Sequence, residues 1–540
     1  FQAEDGIRDR SPSRGLGDVY KRQDKKHYPS QISSKLQSVV EENQLVKEFQ
    51  KSRLKLSADI DRPLYHFSPP QNSLNDPNGL CEWQGAYHLF YQFKGDNQTR
   101  VHWGHAISHD LISWIDLPPA IYPENEKDCF SGQSLVEKDR VIAIYHGTES
   151  GNCIATASDE LLLKWEKNKN NPVIPIIPTD QNGLPYRVFD PCIWKQNNEY
   201  YSISGTYKNG TRGVDAIGID HLFKSTNLDE WEHIGSLFED IFYADPGEDA
   251  AVPNFLPISE DKHLLLLFSH KRASHYYIGT YDSEDHKFYP EIHGRMNYGP
   301  WMSSSLHAAS ATIDSKGRCI AIFNTIEGKP QEKDSTKGIM TLPRHLSLQN
   351  NSLNIDPIEE LKQLRFNQKN VAGFNIPANS QIDIKEIQGK AIELEIIINP
   401  KEAREVGINV LQSPNKEEET KISFLKGNHT EGYPSETIID SLQIDVSNSS
   451  LRKNVKARSP ETGPLKLQNG ENLELRIFID RSIVEVFANR KQCLTLRTYP
   501  SLENSNGISV FSKGSDAELI SFKSWNIKSI WPELKKFEGR

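Results

Sequence analysis

Four carboxylates stand in settings that could do chemistry. Asp76 lies in Asn75-Asp76-Pro77-Asn78-Gly79 and Asp190 in Arg187-Val188-Phe189-Asp190-Pro191. Glu248 and Asp249 adjoin in Gly247-Glu248-Asp249-Ala250-Ala251-Val252-Pro253-Asn254-Phe255. Cleaving a glycosidic bond needs two carboxyl groups, one to attack or support the anomeric carbon and one to protonate the departing oxygen; retaining reactions hold them about 5 Å apart. Taken singly, Asp76 and Asp190 precede proline in turn-like sequence, where an aspartate often serves only its own backbone. No glycine-rich phosphate loop accompanies them. His102, His105 and His109 cluster without Cys or carboxylates at ligand spacing, so they read as packing and hydrogen-bonding residues. The expectation is chemistry without metal or cofactor.

Such distant side chains meet only if the fold carries their segments to one place. After Pro63 the chain turns to short runs rich in Tyr, Phe, Ile and Trp, bounded by Gly, Pro, Asn and Asp, which read as many short strands. A phrase recurs: Ser-His-Asp-Leu-Ile-Ser-Trp ending at Trp114, Ser-Asp-Glu-Leu-Leu-Leu-Lys-Trp ending at Trp165, and Ser-Thr-Asn-Leu-Asp-Glu-Trp ending at Trp231. Each joins two apolar runs, as a turn that returns the chain and plants one Trp would. Polar signals near Asp76, Ser131, Asp190, Glu248 and His307 open units about 54 to 60 residues long, the length of a four-stranded propeller blade. In a propeller the innermost strands converge on an axial funnel, so each blade can deliver a side chain to one site.

The expected fold is all-β: a five-bladed β-propeller over 59–350, a linker or short helix over 351–374, and a β-sandwich over 375–540. A sandwich array with accidental spacing is the alternative for the first part. The second part rests on the alternation in AIELEIIINP from Ala391 and LELRIFIDRSIVEVFAN from Leu473, with Asp480 and Arg481 as a hairpin turn. Residues 24–58 form an N-terminal helical segment; Leu36, Val39, Val40, Leu45, Val46, Phe49 and Leu54 have the spacing of one amphipathic helix. Residues 1–23 have no apolar period and resemble translated adapter read-through; they are expected to be disordered and foreign to the fold, with the native N-terminus and any secretion signal lost.

The 540 residues suffice for two domains. Apolar content of 36% and charged content of 25% suit a water-exposed globular chain. The net charge of −10 argues against nucleic acid and anionic membranes as partners. No apolar run approaches the roughly 18 residues a membrane helix needs. Cys81, Cys129, Cys153, Cys192, Cys319 and Cys493 share no metal-type spacing and read as buried or free thiols, a disulfide or two remaining open. Asn97, Asn209, Asn350, Asn428 and Asn448 begin Asn-x-Ser/Thr sequons.

The runs HFSPPQNSLNDPNGL from His66, YHLFYQF from Tyr87 and HWGHAISHDLISW from His102 closely resemble the opening blade of glycoside hydrolase family 32, the invertases, inulinases, levanases and related fructosyltransferases. The resemblance implies Asp76 as nucleophile, with Asn75, Gln92, Trp103, Phe130 and Ser131 at positions that contact the sugar. Asp190 matches the family aspartate that hydrogen-bonds fructose hydroxyls and stabilises the transition state. Phe189 stands where the family has arginine, and Arg187, on the same side of a regular strand, is expected to reach the sugar instead. The family's acid/base glutamate aligns with Ala251 when Pro253 is matched without a gap. Strand parity favours Asp249 as its replacement, and a bulge or shifted strand start favours Glu248. Glu248 is expected to be the acid/base for its reach and residue type, with Asp249 beside the substrate as the alternative.

Asp480-Arg481-Ser482-Ile483-Val484-Glu485-Val486-Phe487-Ala488-Asn489 is similar to the sandwich domain of the same family, so the resemblance spans about residues 60–530. It implies double displacement at terminal β-D-fructofuranosyl bonds of sucrose or fructans, with a fructosyltransferase or a non-catalytic fructan-binding homologue as alternatives. Neither cofactor nor metal is implied, and the partner is the fructoside itself. Linkage preference and oligomeric state stay open, with a secreted or extracellular compartment favoured over a cytoplasmic one.

Overall fold

Runs such as Ala86–Lys94, His102–Ser108 and Val141–Gly147 are buried almost without alternation. Strands read this way when both faces of their sheet are covered. The computed structural model describes residues 33–176, 188–207, 218–239, 245, 248–300, 302–332, 335–428 and 439–531. Residues 1–23, the first part of the 24–58 segment and Arg187 lie outside the described residues.

Five antiparallel sheets follow one another along the first part of the chain. Their first strands are Ser73–Trp83, Cys129–Val136, Pro191–Gln196, Ala251–Pro257 and Leu306–Ile313. Each first strand packs on that of the next sheet, and Leu306–Ile313 packs back on Ser73–Trp83, so the five enclose an axis. This is the β-propeller arrangement, and Asp76, Ser131, Asp190, Glu248 and His307 all lie at the heads of these inner strands or just before them.

The recurring Trp phrase is a turn joining the third and fourth strands of a sheet. Asp110 accepts from the Ile112 and Ser113 amides (3.0 and 2.7 Å), Asp159 from Leu163 and Lys164 (3.1 and 2.9 Å), and Asn227 from Asp229 and Glu230 (both 3.0 Å). Three residues before each Trp, a buried leucine takes a left-handed conformation: Leu111, Leu162 and Leu228, at φ 64°, 50° and 69°. The fourth sheet has a Trp-less version, in which Asp282 accepts from Glu284 and His286 is left-handed at φ 54°.

The second part is a sandwich of two six-stranded sheets around an Ile-, Leu- and Val-rich core. Asp480 and Arg481 do make the expected hairpin, with Arg481 at φ 55°. The span 351–374, expected as a linker or short helix, holds one short 3-10 helix and is otherwise largely strand. Ser352–Pro357 completes the fifth propeller sheet, a 3-10 turn occupies Glu359–Leu364, and Arg365–Ile376 is an edge strand of the sandwich. Its sequence hides the strand because most of its side chains face water.

The single helix expected over 31–58 is two, Ser34–Glu42 and Gln44–Leu56. Asn43 breaks it and caps the second helix, its side chain accepting from Leu45 and Val46. Leu36, Val46, Phe49 and Leu56 are buried, whereas Leu54 points to solvent.

Candidate active site

Four of the five inner strands slip register where the site residues sit. The slips fall between Leu74 and Pro77, Cys129 and Gly132, Ala251 and Asn254, and Leu306 and Ala309. A bulge of this kind bends a strand and re-aims its side chains. The Pro191–Gln196 strand is regular, and Asp190 stands immediately before it.

Asp76 is buried and held from both sides. Its Oδ2 accepts from Ser131 Oγ at 2.5 Å and from Gln92 Nε2 at 3.1 Å, and its Oδ1 lies 2.9 Å from His307 Nδ1. Gln92 also donates to Ser131 Oγ (2.6 Å) and accepts from Asn75 Nδ2 (3.2 Å), while Asn75 accepts from Asn324 (3.1 Å). Burial alone would push the Asp76 carboxyl up, but the His307 charge and bond, the Ser131 hydroxyl and the His270 charge together hold it below its ordinary value. Nothing in the sequence marked His307 except its place at the head of a unit.

Asp190 has the opposite setting. Burial first, then the Asp76 charge, raise it to about 7, with Asp249 adding to the rise and His270 and the Val252 amide opposing it. Two neighbouring carboxyls with pKa values driven apart let one be ionised while the other keeps its proton. Val252 is itself left-handed at φ 47°, a strained conformation for a β-branched residue of the kind that gathers at functional sites.

The adjacent acids diverge. Glu248 is fully enclosed and takes Arg295 Nη2 at 2.7 Å and Nη1 at 3.4 Å, with Arg272 Nε at 3.8 Å. Asp249 instead accepts from the His270 amide (2.7 Å) and lies 2.6 Å from His270 Nδ1. The Asp249 charge reaches Asp190 and also the buried Asp220, which burial and Asp249 raise to about 8. Ala251, where the family match would put a glutamate, pairs with Phe268 and packs among Val252, Phe268, Ala273 and Ala308.

Trp103, read as a sugar contact, is 0% exposed and donates from its indole to the Phe130 carbonyl at 2.8 Å. It supports the Phe130-Ser131 segment from beneath and presents no face to a ligand. Phe130 remains partly exposed, and Ser131 is buried against Asp76. Among the described residues no group of three or more His, Cys, Asp or Glu could hold a metal ion, and no helix is long and apolar enough to cross a membrane. The six cysteines are buried free thiols.

Asp76 and Asp190 stand at the heads of inner strands of one propeller with their carboxyls pushed in opposite directions, and paired carboxyls are what glycoside hydrolysis requires. The family models agree: Glycosyl hydrolases family 32 N-terminal domain matches residues 66–357 and Glycosyl hydrolases family 32 C terminal matches 360–526. The chain belongs to glycosyl hydrolase family 32 and is an enzyme of the β-fructofuranosidase type. It shares 28% identity with a rice (Oryza sativa subsp. japonica) protein named beta-fructofuranosidase, insoluble isoenzyme 4, over 87% of this chain and 89% of that one. A Zymomonas mobilis sucrose-6-phosphate hydrolase is 27% identical over 86% of this chain and 92% of its own length. The crystal structure of fructan 1-exohydrolase IIa from Cichorium intybus superposes with a TM-score of 0.76 at 25% identity, covering 87% of this chain and 98% of that one.

Proposed function

We propose that this chain hydrolyses terminal β-D-fructofuranosyl bonds in sucrose or fructans by double displacement on Asp76. The observation that carries the reading is the grip on Asp76: a buried carboxylate kept ionised by His307, Ser131 and Gln92 at the head of an inner strand. Asp76 attacks C2, the C2–oxygen bond to the leaving sugar breaks, and water then opens the fructosyl ester. Asp190 lies beside the fructosyl ring and bonds its hydroxyls, with Asn75, Gln92, Phe130 and Ser131 completing the subsite. Arg187 keeps the role of a sugar contact in this reading, although it lies outside the described residues. Glu248, committed to Arg295 and Arg272, holds its loop rather than supplying the proton. The proton comes from the Asp249 side of the funnel.

Extracellular action fits the exposed sequons Asn97, Asn350 and Asn448. The test of the reading is fructose release from sucrose, inulin and levan. Asp76→Asn should lower kcat by roughly 10⁴-fold or more while the unfolding midpoint stays close to that of the wild type. Full turnover by this variant would remove Asp76 as nucleophile.

A further inference from the structure

We propose that His270, oriented by Asp249, is the acid/base residue of this chain, donating the leaving-group proton from Nε2; this rests on the fructoside-hydrolysing reading above. The position that would otherwise carry a glutamate is Ala251, enclosed by apolar neighbours. Glu248 faces guanidinium groups on both of its oxygens. Asp249 meets His270 with both of its oxygens, accepting from the His270 amide and from Nδ1. A carboxylate on Nδ1 fixes the tautomer and the ring orientation, which makes Nε2 the nitrogen that exchanges protons.

The place is right as well. His270 follows strand His263–Ser269, in which Phe268 is the register partner of Ala251. The Phe268 ring meets His307 at 4.0 Å and His270 at 5.1 Å between centroids, and His307 lies on Asp76. One aromatic ring therefore separates His270 from the histidine that holds the nucleophile, and the His270 charge acts on both Asp76 and Asp190. The His270 side chain is 37% exposed against 6% for Asp249, so the carboxylate is the buried brace and the ring the accessible end.

The two steps balance. In the first, an Asp76 oxygen bonds to C2, the C2–O bond of the substrate breaks, and the Nε2 proton passes to the departing oxygen, leaving a neutral imidazole. In the second, Nε2 takes a proton from water as that oxygen bonds to C2 and the Asp76 ester opens, restoring carboxylate and imidazolium.

The experiment compares kcat/KM of the full chain on sucrose, whose glucosyl oxygen must be protonated to leave, with that on p-nitrophenyl β-D-fructofuranoside, whose phenolate leaves without a proton. His270→Ala should lower the sucrose value by roughly 10² to 10⁴-fold and the aryl value by less than about tenfold, with azide restoring turnover of the aryl substrate as the fructosyl azide. Asp249→Asn should show the same leaving-group bias to a smaller degree, and Glu248→Gln should alter both substrates by the same factor. An equal fall on the two substrates in His270→Ala, or a bias confined to Glu248→Gln, would overturn the assignment while leaving the hydrolase reading intact. A wild-type chain inert to both substrates would overturn the reading and the assignment together.

Discussion

Asp76 and Asp190 occupy one funnel, yet their surroundings push them in opposite directions, and this has a consequence for stability. Asp190, raised to about 7 by burial and by Asp76, binds its proton more tightly folded than unfolded. Between its unfolded value and about 7 the folded state therefore carries more protons, so raising the pH through that window lowers stability. Asp76, held low, acts the other way, its contribution being lost as pH falls through its folded value. Asp190→Asn removes the first effect, so its thermal midpoint relative to wild type should be higher at pH 8 than at pH 4.5. Calorimetry at the two pH values checks this, and an unchanged difference would contradict it. Asp76 was legible in the sequence because its motif is local. The partners of Glu248 and Asp249 were not, because Arg295 lies on the last strand of the fourth sheet and His270 and Arg272 in the turn between its second and third, so the pairing exists only once that sheet has folded. Trp103 misled for a similar reason: a tryptophan two strands away from the nucleophile can face the funnel or support it, and strand parity at a bulged sheet does not say which.

At the scale of elements, bulges in four of the five inner strands re-aim the side chains that make the site. Gly132 ends one of them. A Cβ there would stand 1.9 Å from the Ile144 carbonyl oxygen and 2.6 Å from the Tyr145 Cα, so the two backbones approach too closely for any side chain. Gly132→Ala should force the strands apart, destabilise the protein by about 1 to 3 kcal/mol and displace Ser131 from Asp76. Urea titration together with the sucrose kcat reads both effects, and a variant with normal kcat and midpoint would show that the bulge tolerates a side chain. The turn phrase was readable at this scale because a left-handed Leu stands three residues before each Trp, behind a capping Asp or Asn. The fourth copy escaped notice because it lacks the Trp. The strand Arg365–Ile376 escaped because an exposed edge strand has little apolar alternation to display.

Across the whole molecule, propeller and sandwich are joined by buried charge. His66, at the entry to the propeller, places Nδ1 2.9 Å from Asp480 and Nε2 3.1 Å from Glu485. Asp480 also accepts from the Leu64, Tyr65 and His66 amides, and Glu485 from the Leu342 amide, Arg344 and Thr495. The hairpin read from sequence as a turn motif is thus also the clasp between the two parts, which no local pattern could disclose. Burial opposes the charge on His66, but the bonds to Asp480 and Glu485 outweigh it and raise its pKa. Its stabilising contribution is therefore complete below its unfolded value and is lost as pH rises through the folded one. Removing one member of such a buried set costs about 3 to 5 kcal/mol. His66→Ala should lose about that much at pH 6 and less at pH 9, measured as the difference in urea unfolding from wild type; an equal loss at both pH values would mean that the ring contributes packing alone.

The central claim, a fructosyl ester on Asp76, is tested most directly by stereochemistry. Sucrose turned over by the wild-type chain in buffer containing methanol, with the methyl fructoside analysed by proton NMR before it is itself cleaved, should give the β-anomer, the outcome of two successive inversions at C2. Accumulation of the α-anomer would mean a single displacement by solvent and would contradict the account.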